Sequence, residues 1–270
     1  MRKIILLLAA LVGALVLTGP IAVLGQESGP LVSVILSSEG LSAPETLPKG
    51  LVTIQFENTA EAPFIGVLLR LNDGVTLDDF FAAIAEDPLG MLPLVSLRGG
   101  PGLMPGQAGS VTYDLDAGEY VLADFAGEEP QLAMFTVADG EDVTQVQPNA
   151  DLHVVMVDFG YGLPLTVPAG ERVWRIENAG QQWHELAILP VEPETTIEDV
   201  QALLAEGEES GLQQLPLLMP LSAGEVAWLA VNLEPGTYAL ICNLPDLMNM
   251  EDMHTHYELG MIQLITVEDV

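Results

Sequence analysis

Leu47-Pro48-Lys49-Gly50-Leu51-Val52-Thr53-Ile54-Gln55-Phe56-Glu57-Asn58 returns 120 residues later as Val167-Pro168-Ala169-Gly170-Glu171-Arg172-Val173-Trp174-Arg175-Ile176-Glu177-Asn178. In each copy a Pro-x-Gly turn releases a run rich in β-branched and aromatic residues, which reads as a turn followed by a strand. The same offset carries Thr76-Leu77-Asp78-Asp79-Phe80 onto Thr196-Ile197-Glu198-Asp199-Val200. Further on the offset becomes 118, where Leu115-Asp116-Ala117-Gly118-Glu119-Tyr120 matches Leu233-Glu234-Pro235-Gly236-Thr237-Tyr238. Both copies close on Phe-Thr-Val or Ile-Thr-Val, at Val137 and Val267. The chain is one unit written twice.

Each unit reads mostly as β-structure. Leu31 to Leu36 and Leu152 to Val157 open the units as strands, and Gly118 and Gly236 each mark a turn into another. One helix interrupts each unit: Leu77, Phe80 and Ile84 recur at helical spacing, as do Ile197, Val200 and Leu204, with Thr76 and Thr196 as N-caps. The fold class is all-β, two tandem β-sandwiches with one inserted helix each. The first unit covers residues 26–138, a polar linker 139–150, and the second unit 151–270.

Residues 1–25 stand apart. Arg2 and Lys3 precede an apolar run from Ile4 to Leu17, Thr18-Gly19-Pro20 breaks it, and Val23-Leu24-Gly25 offers a cleavage site before Gln26. That is the shape of a secretory signal peptide, with an uncleaved N-terminal anchor as the alternative. The expected location is outside the cytoplasm, periplasmic or extracellular. No later stretch is apolar enough for a membrane helix.

The formal net charge is −32, from 7 basic against 39 acidic residues. Removing residues 1–25 takes away two of the basic ones, so the balance falls to −34. Charged residues make up only 17 % of the chain, so the imbalance comes mainly from missing Lys and Arg. Such a chain repels phosphate backbones and anionic lipid, which excludes nucleic-acid binding. A single cysteine excludes a disulfide scaffold.

The chemistry lies in the second unit. Asn178-Ala179-Gly180 leads to His184-Glu185; Tyr238 precedes Cys242 by four residues; His256 precedes Met261 by five; and a closing strand follows. Taken singly, a buried cysteine is most often a small hydrophobe and a methionine before a strand is usually core. In this order, with the chain's one cysteine in place, the second unit resembles the cupredoxin (type-1 blue copper) family over its whole length. The resemblance implies Greek-key sandwiches and one copper per chain. It also implies a trigonal plane of His184, Cys242 and His256 with Met261 axial, and an Asn178 that ties the His184 loop to the Cys242 loop. Thiolate, imidazole and thioether together suit a copper that cycles between Cu(I) and Cu(II).

The loop from Cys242 to His256 is longer than the family usually shows. It carries Met248, Met250, Met253 and His254. These methionines either cover the metal as an apolar lid, form a second, softer Cu(I) site, or supply the axial ligand in place of Met261. Between the two histidines, the spacing to Met261 selects His256. His153 is expected to face solvent. In unit one, Phe64, Asp124 and Gln131 stand where His184, Cys242 and Met261 stand in unit two, and residues 26–150 hold no His or Cys. Unit one is therefore a degenerate copy with a structural or docking role, and residues 145–270 alone are expected to keep the copper.

Four histidines cannot furnish the trinuclear cluster of a multicopper oxidase or the extra histidine-rich site of a copper nitrite reductase. The expected function is single-electron transfer, with no catalysis, by an exported monomer whose redox partner is a basic protein. The alternatives are a copper carrier or scavenger using the Met/His loop, and a metal-free β-sandwich interaction protein.

Overall fold

The computed structural model describes residues 30–87, 90–126, 130–140, 146–206, 216–249, 251–252 and 254–269. The signal-peptide expectation falls outside them, as do Met250 and Met253. Among the described residues no helix is long and apolar enough to cross a membrane.

Unit one runs β1 (Leu31–Ser37), β2 (Gly40–Ser42), β3 (Thr46–Leu47), β4 (Gly50–Asn58), β5 (Phe64–Leu71), α1 (Leu77–Glu86), β6 (Val95–Leu97), β7 (Gly102–Leu103), β8 (Ala108–Leu115), β9 (Gly118–Asp124) and β10 (Gln131–Val137). Unit two repeats the plan as β11 (Leu152–Val157), β12 (Gly160–Gly162), β13 (Thr166–Pro168), β14 (Gly170–Asn178), β15 (His184–Val191), α2 (Ile197–Ala205), β16 (Pro216–Leu221), β17 (Val226–Leu233), β18 (Gly236–Ile241) and β19 (Ile262–Glu268). The repeated turn-and-strand motif is the start of β4 and of β14. Both helices open on a complete capping box, Thr76 with Asp79 and Thr196 with Asp199. That satisfies otherwise unpaired N–H groups at each N-terminus.

Each unit is a sandwich whose chain crosses repeatedly between two sheets. In unit two the sheet β13-β19-β18-β15-β16 faces β12-β11-β14-β17. The strands of the first sheet are covered on both sides, by the inner core and by the helix. In β18, Tyr238 and Leu240 point into the inner core while Ala239 and Ile241 lie under α2 with Val200. Period-2 alternation then sends Cys242 inward. The same alternation along β15 puts His184 and Leu186 inside and Ala187 and Leu189 under the helix.

The two units are not separate beads. β8 of unit one pairs antiparallel with β17 of unit two, Thr112 opposite Trp228, so β12-β11-β14-β17 continues through β8-β4-β1-β2 as one eight-stranded sheet. Unit one also grips β16. Gly99 N–H donates to Pro220 O (3.1 Å), Met219 N–H to Gly100 O (2.8 Å) and Ser222 N–H to Leu97 O (2.9 Å). Arg98, buried, pairs with Glu225 at 2.9 Å. Gly99 sits at φ 82°, and a Cβ there would meet Leu218 and Leu221, so glycine is what lets β16 come this close. The sequence gives no sign of this seam.

Candidate metal centre

Three side chains from distant parts of unit two meet inside the sandwich. His184 opens β15, Cys242 follows β18, and His256 returns from the long loop. Their donor atoms all lie within 4.8 Å of one another, and the residues are 0 %, 0 % and 1 % exposed. His184 Nδ1 and His256 Nδ1 are 3.1 Å apart, and Cys242 Sγ is 3.3 Å from His256 Nδ1.

Backbone bonds hold Met261 at the same place. Its N–H donates to His256 O (2.8 Å) and its carbonyl accepts from Cys242 N–H (3.3 Å). Its side chain is fully buried in the same core as Cys242.

The long loop reaches this geometry by folding back on itself. Asp246 N–H donates to His254 O and His256 N–H to Leu244 O, both at 2.8 Å, and Pro245 bridges to Thr255. This pairing of residues 244–246 with 254–256 brings His256 beside Cys242. His254, two residues earlier, stays out: its side chain is 55 % exposed and 3.8 Å from Glu258. The extended run that would aim both histidines the same way stops at Thr255, where a turn begins. Met248 is 74 % exposed and forms no lid over the cluster. His153 is exposed, as expected.

Asn178 does not tie the two ligand loops together. Its Nδ2 donates to Gln182 O (2.8 Å) and Leu221 O (2.7 Å), and its Oδ1 accepts from Gly180 N–H (2.9 Å). Asn58 makes the equivalent bonds to Ala62, Leu103 and Ala60 in unit one. The residue is a device of the repeated fold. The loops are joined instead by Gln182, which donates to Asp246 Oδ1 (2.9 Å) and accepts from Leu247 N–H (3.0 Å). Glu185 adds a second tie by accepting from Asn243 N–H (3.0 Å).

Electrostatically the pocket favours neutral donors until a cation enters. Burial pushes the Cys242 thiol well up, and the Glu185 carboxyl adds to the effect. Burial and the neighbouring His184 bring His256 down to about 4. Burial also lowers His184, against the pull of Asp158. Glu185 itself is pushed up to about 7 by burial. A cation bound among these atoms reverses the balance at the thiol, which ionises on coordination. Two imidazole nitrogens and one thiolate, buried and convergent, fit a single copper ion in a type-1 arrangement.

Asp158 and Phe159 are participants that the sequence reading missed. Both sit in the turn between β11 and β12. Asp158 Oδ1 accepts from His184 Nε2 (2.9 Å), and the Phe159 ring stands edge-on to His256 at 5.4 Å. A carboxylate in a strand-to-strand turn is ordinary, and only the three-dimensional approach distinguishes this one. Glu185, the one acidic residue of β15, was likewise given no role by the sequence reading.

In unit one the corresponding place holds no such cluster among the described residues. Phe64 is buried and folds over Gly66, where an added Cβ would lie 2.2 Å from its ring. Asp124 Oδ1 accepts from Ile65 N–H (2.9 Å) and Ala126 N–H (3.1 Å), and Gln131 pairs opposite it.

No family model matches the sequence, and no curated protein matches it. Among solved structures, the chain is similar to an auracyanin from the photosynthetic bacterium Roseiflexus castenholzii, with 19 % identity and a TM-score of 0.31 over 43 % of this chain and 94 % of that one. It is similar to a multicopper oxidase at 14 % identity and a TM-score of 0.26, over 88 % of each chain. It is similar to the copper nitrite reductase of Nitrosomonas europaea at 13 % identity and a TM-score of 0.26, over 88 % and 93 %. At such low scores the chemistry of this chain follows from its own donor set and not from these neighbours. By its own geometry the chain is a tandem β-sandwich protein in which, among the described residues, one buried group of the second unit, His184, Cys242 and His256, could hold a metal ion.

Proposed function

We propose that the protein is a mononuclear type-1 copper protein that carries single electrons, with His184, Cys242 and His256 as the equatorial ligands and Met261 axial. The observation that carries this reading is the convergence of the three buried donors within 4.8 Å, with Met261 bonded to two of them through the backbone. Copper in such a site accepts and returns one electron. The chain's part is to hold one geometry in both oxidation states and to keep water out. Backbone bonds fix His256 and Met261 to the loop base, β15 fixes His184, and the sandwich core encloses Cys242. A trinuclear cluster or a further histidine-rich site needs more histidines than the chain's four, two of which, His153 and His254, lie outside the cluster. Among the described residues of the Met/His loop, Met248 and His254 face solvent and stand apart from the cluster, which favours electron transfer over a carrier role.

Export follows from the signal-like residues 1–25, and a charge of −34 after their removal suits a basic redox partner. The test is stopped-flow reduction of the copper-loaded protein by a basic electron donor. Reversible one-electron cycling is expected, with a rate that falls as ionic strength rises past about 0.1 M. A salt-independent rate would mean that the acidic surface serves solubility alone, and failure to cycle would overturn the electron-transfer reading.

A further inference from the structure

The two imidazoles of the cluster are not held alike. His256 Nε2 is buried and makes no hydrogen bond among the described residues, so packing and backbone fix that ring. His184 Nε2 instead meets a carboxylate, Asp158 Oδ1, at 2.9 Å. The same oxygen accepts from Gln181 N–H (2.9 Å) and Gln182 N–H (3.2 Å), so three donors converge on it.

The surroundings are shaped for this contact. A Cβ on Gly180 would lie 2.5 Å from Asp158 Oδ1 and 2.6 Å from His184 Nε2, so no other residue leaves room for the bond. The following residue, Phe159, has φ 65°, the one positive value among described non-glycine residues. A bulky aromatic residue adopts that conformation only when its surroundings impose it. Here it lets one short turn place a carboxylate on His184 and a ring against His256.

We infer that Asp158 is a positioning residue that fixes His184 as its Nε2–H tautomer and sets the metal's preference between oxidation states; the inference rests on the copper reading of the site. A carboxylate accepting from Nε2–H leaves Nδ1 as a lone pair aimed at Cys242 and His256, and it raises that nitrogen's basicity. Its negative charge, one imidazole away from the metal, favours Cu(II) over Cu(I). Both effects have the same sign: Asp158 lowers the reduction potential.

The test is potentiometry on the copper-loaded full chain carrying Asp158→Asn, with absorption near 600 nm recorded alongside. The amide oxygen can still accept from the two backbone N–H groups, so the turn is kept while the charge is removed. Retention of the blue band with an increase of about tenfold in the Cu(I):Cu(II) binding ratio is expected, which is a rise of about 59 mV for one electron. An intact band with a ratio changed less than twofold would overturn the inference and make Asp158 a fastener of its turn only. Gly180→Ala supplies an independent variant, since its methyl group pushes the carboxylate off the imidazole without removing the charge from the chain. It should raise the potential too, and combining it with Asp158→Asn should add little, because both take the carboxylate charge away from the same imidazole. Full additivity, or no change in Gly180→Ala if Asp158→Asn fails to fold, would contradict the proposal. If the unmodified protein gives no blue band at all, it is the copper reading that fails.

Discussion

His254 and His256 stand two residues apart and end in opposite environments. His256 is buried against Cys242 and Met261, while His254 rests on the surface near Glu258. Replacing His256 by Ala should abolish or shift the absorption near 600 nm in copper-loaded protein, and His254→Ala should leave it nearly intact. The reverse pattern would move the second imidazole ligand to His254. This distinction was legible from the spacing to Met261, although the folding of the intervening loop was not. A second residue-scale effect concerns acidity in the copper-free protein. Glu185 has a folded pKa raised to about 7, so its cost to stability grows as pH rises from about 4.5 to 7. His256 has a folded pKa lowered to about 4, so its cost grows as pH falls from about 6.5 to 4. The two oppose each other across the same window. Removing the first with Glu185→Gln should shift the pH of greatest thermal stability upward. Melting curves between pH 4 and 8 check this, and an unmoved optimum would mean that the buried carboxyl carries no such cost.

Elements of this fold come in pairs, and the pairs act as internal controls. Asn58 and Asn178 close the same turn with three hydrogen bonds each, one beside the metal cluster and one in the copy without it. Either Asn→Ala change leaves buried partners unsatisfied and should cost about 2–4 kcal/mol in urea unfolding. Asn58→Ala should leave the blue band untouched. If it bleached the band as strongly as Asn178→Ala, the effect would be global unfolding and not local geometry. The capped helices and the β4 and β14 motifs were readable because local chemistry specifies them. The turn carrying Asp158 and Phe159 was not, because its meaning depends on contacts with residues more than twenty positions away in the chain.

At the scale of the whole molecule, the seam between units changes what unit one is for. Leu221 pairs with His184 on one side and with Arg98 of unit one on the other, so unit one lies one strand from the His184, Cys242 and His256 cluster. Trp183, next to His184, packs on the outer core of unit one, and Met219 enters that core. Such pairing between distant strands leaves no local mark in a sequence, so a self-sufficient second unit looked reasonable from the repeat alone. Residues 145–270 by themselves would expose the edges of β16 and β17 and should self-associate, as size-exclusion chromatography would reveal. A stable monomer with an undiminished blue band would show that the seam is dispensable. Arg98→Ala leaves Glu225 without its ion-pair partner and should cost about 3 kcal/mol or more in the intact chain. The copper chemistry proposed for the molecule depends on the cluster of His184, Cys242 and His256. The most direct measurement is a titration of the copper-free chain with Cu(II), followed by absorption. An intense band near 600 nm is expected, saturating at one copper per chain and vanishing in Cys242→Ser. A colourless complex, or saturation at two coppers per chain, would contradict it.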